Sequence, residues 1–184
     1  LHRLLGAPPG HRGAEEGGQL TEAVGGRPYT LLLLDEIEKA HPGVIDLFLQ
    51  VLDEGRLTDS QGRTADFTNT IIVATSNVGT ALITEEIRKG KKLEEIKNQA
   101  MAELEKRFRH EFLNRFSRIV VYRPLTISEV EEIARILLAD LSARLVKKEI
   151  KLEVDPKFVS ELAQKGFDPE WGARPLRRLI EEEI

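Results

Sequence analysis

Four consecutive leucines, Leu31 to Leu34, run straight into two acids, Asp35 and Glu36. An unbroken apolar run of strand length predicts a β-strand covered on both faces. That is the habit of a parallel sheet, whereas a half-wet strand alternates. Ile71 to Ala74 is a second run of the same kind. Ligands of open α/β sheets gather outside the carboxyl ends of the strands. Asp35 and Glu36 stand at one such end, and Thr75, Ser76 and Asn77 at another. Adjacent carboxylates at the margin of a low-dielectric core need a reason. One reason is phosphoryl chemistry. Asp35 can hold a Mg²⁺ ion, directly or through water, beside nucleotide phosphates. Glu36 can polarise a water for attack on the γ-phosphate. Asn77 can orient that water. Plainer alternatives exist for each: Asp35 as a cap of the next helix, and Ser76–Asn77 as a turn.

The rest of the 184 residues supports an α/β reading that gives way to helices. Gly6 to Gly26 is Gly- and Pro-rich and predicts loop, with a short helical piece at Gln19–Val24. A helix is expected from Pro42 to Asp53, with Pro42 in its first turn and Gly55 beyond its end. Leu93, Ile96, Ala100, Leu104 and Phe108 recur at helical spacing. Ile119 to Tyr122 reads as a strand ended by Pro124. Thr126 and Glu129 form a capping-box pattern ahead of a long helix carrying Val130, Ile133, Leu137, Leu141 and Leu145. Ile150, Leu152 and Val154 alternate, which predicts a short strand. Asp155 and Pro156 open a further helix that Gly166 ends, and Pro175 opens the last one. Strands and helices alternate to about Leu125, so the expected division is an α/β domain over 1–125 and a small helical domain over 126–184.

Read together, LLLLDEIEKAH at 31–41 resembles the Walker B segment of Clp-type AAA+ ATPases. RLLGAPPG before it, EEGGQLTEAV at 15–24 and the text from Leu49 to Asp59 resemble the same family, so the likeness covers nearly the whole chain. It implies an AAA+ P-loop NTPase core with a parallel sheet, followed by a small, mostly helical subdomain. It makes Asp35 the acid associated with Mg²⁺, Glu36 the catalytic base and Asn77 the sensor-1 residue. In EFLNRF, Arg115 resembles the arginine finger that reaches a neighbouring subunit's nucleotide. A guanidinium suits that duty by its fixed fork and permanent charge. A surface ion pair with Glu111 is the bland alternative. In WGARPL, Arg174 resembles the sensor-2 arginine. ATP and Mg²⁺ are the implied cofactors. A homo-hexamer, unfolded or aggregated polypeptides and a co-chaperone are the implied partners. The implied setting is a cytoplasmic disaggregase of the stress response.

Two departures qualify this. The residues Gly10-His11-Arg12-Gly13 occupy the place of the polypeptide-gripping pore loop. That loop usually has an aromatic where His11 stands and a small apolar residue where Arg12 stands. Ala14 replaces another frequent tyrosine, so threading is expected to be weaker. No G-x-x-x-x-G-K-[ST] sequence occurs in the chain, and the glycine run at 6–26 contains no lysine. By resemblance the P-loop lies upstream of Leu1, and the chain alone is expected to bind ATP poorly. Between Asn77 and Arg115 there is no Ile/Leu-Gly-Phe/Leu tripeptide of the kind found in partners of a Clp protease. The chain therefore resembles the second ATPase module of ClpB-type disaggregases. A protease-feeding unfoldase and a non-hydrolysing assembly module are the alternatives. The net charge of −4 offers nothing to nucleic acid. No apolar run reaches the length of a membrane span. No histidine spacing suggests a zinc site.

Overall fold

The structure is a computed structural model that describes residues 2–7, 10–11, 17–27, 29–168 and 172–183. The chain folds as two compact units. The first holds Leu1–Thr80 with Glu94–Val121, and the second holds Ala81–Leu93 with Tyr122–Ile184.

In the first unit, β1 (Thr30–Leu34) and β4 (Thr70–Ala74) form a parallel pair, with Leu31 opposite Ile71 and Leu33 opposite Val73. Between them lie α3 (Pro42–Glu54) and an antiparallel hairpin of β2 (Arg56–Thr58) and β3 (Thr64–Asp66). Ahead of β1 come α1 (His2–Leu5) and α2 (Gln19–Gly25). Beyond β4 come α4 (Thr80–Arg88), whose residues from Ala81 on belong to the second unit, α5 (Leu93–Arg107) and α6 (His110–Leu113). The core gathers Leu47, Phe48 and Val51 of α3, Val24 of α2, Leu57 and Ala65 of the hairpin, and Phe108, Phe112 and Leu113. Phe112 meets Phe116 edge-on at 5.2 Å, a favourable aromatic geometry.

Helix α3 is delimited as its residues predict. His41 Nδ1 accepts the Gly43 amide at the start, and Gly55 closes the helix with φ 65°. A side chain at Gly55 would adopt a left-handed backbone and place its Cβ 2.9 Å from Thr68 Cγ2.

Three strand expectations need correction. The leucine run does not have two covered faces in this chain. Leu32, Leu34, Ile72 and Ala74 pack on the core, whereas Leu31 and Ile71 are each 65% exposed. Leu33 and Val73 share that open face, because among the described residues the core covers only one side of the pair. Ile119–Tyr122 is not a strand. Ile119 packs on the core, but among the described residues no strand pairs with the segment, and Tyr122 is 83% exposed. The alternating Ile150–Val154 segment likewise has no partner strand among the described residues and is irregular.

The second unit is built on α7 (Ile127–Val146), α8 (Pro156–Gly166) and α9 (Arg174–Glu183). Val130, Ala134 and Leu138 of α7 close on Val159, Leu162 and Ala163 of α8 and on Leu176 and Ile180 of α9. The capping box at Thr126 and Glu129 forms as expected. Arg123 adds a two-pronged hold on Glu129, at 2.6 and 2.8 Å. That guanidinium, helped by the Thr126 amide and hydroxyl, holds the Glu129 carboxyl down at about 2. Asp155 caps α8 by accepting the Lys157 amide at 2.8 Å. Gly166 is required by packing, since a Cβ there would lie 2.6 Å from Leu176 Cδ1.

Candidate active site

The carboxyl ends of β1 and β4 meet through Thr75, a residue that the sequence displays but does not single out. Its amide donates to Leu34 O at 2.9 Å, extending the pairing one residue past the strands. Its hydroxyl then serves both acids. It donates to Asp35 Oδ1 at 2.5 Å and accepts the Glu36 amide at 2.9 Å. The short contact to Asp35 is a charge-assisted hydrogen bond. Ile37 N donates to Thr75 O at 3.0 Å, so the turn after β1 is bound to the turn after β4.

Within this web Glu36 takes the left-handed conformation, φ 51° and ψ 50°. Such geometry is uncommon for a residue with a side chain, and it persists only where the surroundings hold it. Here the Thr75 hydroxyl holds the amide, and two partners hold the carboxylate. Asn77 Nδ2 donates to Glu36 Oε1 at 3.2 Å, and Lys39 Nζ donates to Oε2 at 2.8 Å. The hydrogen bond to Glu36, reinforced by its charge, raises the pKa of Lys39. Glu38 completes the arrangement, with Oε1 accepting the Asn77 amide at 3.1 Å. Its other oxygen, Oε2, is buried without a hydrogen-bond partner. Arg107 of α5 donates to the Glu38 carbonyl.

Asp35, Glu36 and Asn77 are therefore brought together, and Thr75, Glu38 and Lys39 join them. Glu38 and Lys39 lie inside the DEIEKAH segment, but their roles depend on which way the turn faces. Asp35 is exposed, and the donors on this edge are carboxylate, hydroxyl and carboxamide oxygens. Hard oxygen donors at an open strand end fit Mg²⁺. Among the described residues no three His, Cys, Asp or Glu side chains form a ready-made metal cage. An ion that keeps most of its waters and is shared with phosphates needs none.

Arg115 follows α6 in the first unit. Its partner is Asp53 of α3, at 2.5 Å, and not Glu111. Its side chain is 45% exposed, so it remains available at the surface. Arg174 begins α9 in the second unit. His11 is exposed, and its ring stacks on His2 with centroids 6.3 Å apart. Arg12 and Ala14 lie outside the described residues.

A family model described as AAA domain (Cdc48 subfamily) matches residues 1–119, and one described as the C-terminal, D2-small domain of ClpB protein matches residues 125–184. A chaperone protein ClpB of Meiothermus ruber is 53% identical over 182 residues, 99% of this chain and 21% of that protein. The chloroplastic chaperone protein ClpC2 of Arabidopsis thaliana is 52% identical over 190 residues, 98% of this chain and 20% of that protein. The chain thus spans about a fifth of the length of these relatives. A solved S. cerevisiae Hsp104:casein complex in an extended conformation superposes with a TM-score of 0.88 at 40% identity. It covers 100% of this chain and 32% of its own. No helix among the described residues is long and apolar enough to cross a membrane. The chain belongs to the AAA domain (Cdc48 subfamily) family, and its C-terminal part matches the D2-small domain of ClpB.

Proposed function

We propose that this chain is the later part of an ATPase module in a protein-remodelling chaperone, in which ATP hydrolysis drives polypeptide through a homo-hexameric ring. The observation that carries this reading is Glu36, held left-handed at the end of a parallel strand with its carboxylate on Asn77 of the adjacent strand end. In this reading Asp35, steadied by Thr75, holds the hydrated Mg²⁺ of MgATP. That ion supplies charge to offset the phosphate oxygens. Glu36 accepts the proton of the attacking water, and Asn77 keeps that carboxylate and the water in line. Arg115 exchanges Asp53 for the nucleotide of a neighbouring subunit. Arg174 of the small subdomain meets the nucleotide of its own subunit. The large subdomain runs to about residue 125 and the small one from 126. Residues 10–13, with His11 and Arg12, contact the polypeptide. Casein in the yeast relative's complex supports a polypeptide as the bound partner. A co-chaperone and a cytoplasmic setting complete the proposal.

The matches to ClpC chaperones favour a second reading, a protease-feeding unfoldase. The absence of the docking tripeptide between Asn77 and Arg115 speaks for the disaggregase.

The test is Glu36→Gln in the full-length protein. Nucleotide binding is expected to persist while turnover falls by about 10²–10⁴-fold. Unchanged turnover would remove Glu36 from the chemistry. Titration of the 184-residue chain with a fluorescent ATP analogue and Mg²⁺ is expected to show no saturable binding, since the chain contains no Walker A sequence. Micromolar binding would mean that its own backbone cradles the phosphates.

A further inference from the structure

The β2–β3 turn encloses a carboxylate that the chemistry above does not use. The Asp59 side chain has no solvent exposure, yet it is ionisable and carries five hydrogen bonds. Oδ1 accepts the amides of Gln61 and Arg63, each at 2.9 Å, which shapes the turn itself. Oδ2 faces away from the turn. It accepts the Gly18 amide at 3.4 Å, the Thr21 hydroxyl at 3.2 Å and Arg63 Nε at 3.0 Å. Arg63 then reaches Glu22 at 3.1 Å. On the other side of the turn, the Ser60 amide donates to Leu5 O at 2.8 Å.

Leu5 and Gly18 stand at the two ends of one segment, residues 7–16. Gly6 and Gly17 close that segment by a bridge. The closure leaves no room for side chains. A Cβ at Gly17 would fall 1.1 Å from Arg63 Nη2, and one at Gly18 would fall 2.3 Å from Leu4 O. Both ends of the segment are thus fastened to residues 59–63, one through Ser60 and the other through Asp59.

We infer that Asp59 is a positioning residue that fixes the Gly18 foot of segment 7–16 to the β2–β3 turn, beside the Ser60–Leu5 bond that holds the other foot, so that a load on the loop passes into the hairpin. The functional half of this inference rests on reading residues 10–13 as the polypeptide-gripping loop. A buried, charge-assisted network suits the task. Shifting the Gly18 foot leaves Asp59 enclosed with fewer donors, which opposes displacement. The hairpin in turn is tied to the end of α3, where the Phe67 amide donates to Gly55 O at 2.7 Å.

The test uses the full-length assembled protein, with spin labels at His11→Cys and Gln50→Cys in one subunit diluted among unlabelled ones. Asp59→Asn keeps the size of the side chain but sets an amide against Arg63 or against Gly18 and Thr21. The 11–50 distance distribution is expected to broaden. In unlabelled protein the ATP consumed per substrate molecule unfolded is expected to rise by about threefold or more. A native-width distribution in Asp59→Asn, with or without a lower Tm, would overturn the inference. Thr21→Val removes one Oδ2 donor with little change in volume and serves if Asp59→Asn does not assemble. It too must broaden the distribution, and native width overturns the inference equally. His11→Ala separates the two ideas. If it leaves unfolding unchanged, the loop does not grip polypeptide, while the distance distributions still decide whether Asp59 clamps it.

Discussion

At the scale of single residues, Asp59 shows how burial and hydrogen bonding oppose one another. Burial alone would raise its pKa. The amide and guanidinium of Arg63, with the Gln61 and Gly18 amides, outweigh that and bring it to about 2 from an ordinary 3.8. The folded form thus binds fewer protons than the unfolded chain below about pH 4. The stability this contributes is fully present above that pH and is lost as the pH falls towards 2. Unfolding followed at pH 7, 4, 3 and 2 should show the native protein losing stability steeply over the last two steps. Asp59→Asn should be less stable at pH 7 and flatter below pH 4. Equal slopes would mean that another carboxylate sets the acid limit. Glu129, held at about 2 by Arg123, acts in the same window in the second unit. The aspartate is visible in the sequence, but its partners are not. Gly18, Thr21 and Glu22 lie some forty positions away along the chain, as their contacts with residues 59 and 63 record.

At the scale of elements, the helices were the most legible part. Their stops and starts are local chemistry: His41 and Pro42 before α3, Gly55 after it, Thr126 with Glu129, and Asp155 with Pro156. Gly55→Ala should therefore destabilise the first unit by about 1 kcal/mol or more, from left-handed strain and the contact with Thr68. Denaturant unfolding of the variant checks it, and an unchanged midpoint would deny Gly55 its capping role. Strands were harder because a strand exists only with its neighbour. The β2–β3 hairpin escaped notice although Leu57, Ala65 and Phe67 are buried about a turn with Gly62 at φ 79°. Its three-residue strands are too short to show alternation clearly. Conversely, Ile119–Tyr122 and Ile150–Val154 have strand composition and no ladder among the described residues.

At the scale of the whole molecule, the parallel pair leaves an apolar face open among the described residues. Leu31, Leu33, Ile71 and Val73 lie side by side on it, with strand edges alongside. Contiguous exposed apolar surface and unpaired edges promote association. The 184-residue chain is expected to self-associate at micromolar concentration and to bind a hydrophobic dye. The double variant Leu33→Lys, Ile71→Lys should reduce both while leaving the second unit's helical content intact. Sedimentation and dye fluorescence give the answer, and a native chain that stays monomeric and dye-silent would mean this face is protected.

The sequence by itself determined the α/β-then-helical order, the starts of α3, α7 and α8 and the acidic and amide residues at two strand ends, but not the helices over 2–5, 80–88 and 110–113. These follow from local periodicity, capping and turn chemistry, which act over a few neighbouring positions. Tertiary structure alone decided that Thr75 joins Asp35 to Glu36, that Glu36 is held left-handed between Asn77 and Lys39, and that Arg115 pairs with Asp53. It also decided which face of the leucine run is covered. Each of these depends on residues far apart in the chain arriving at one place, and periodicity says which side of an element is apolar but not what will lie against it.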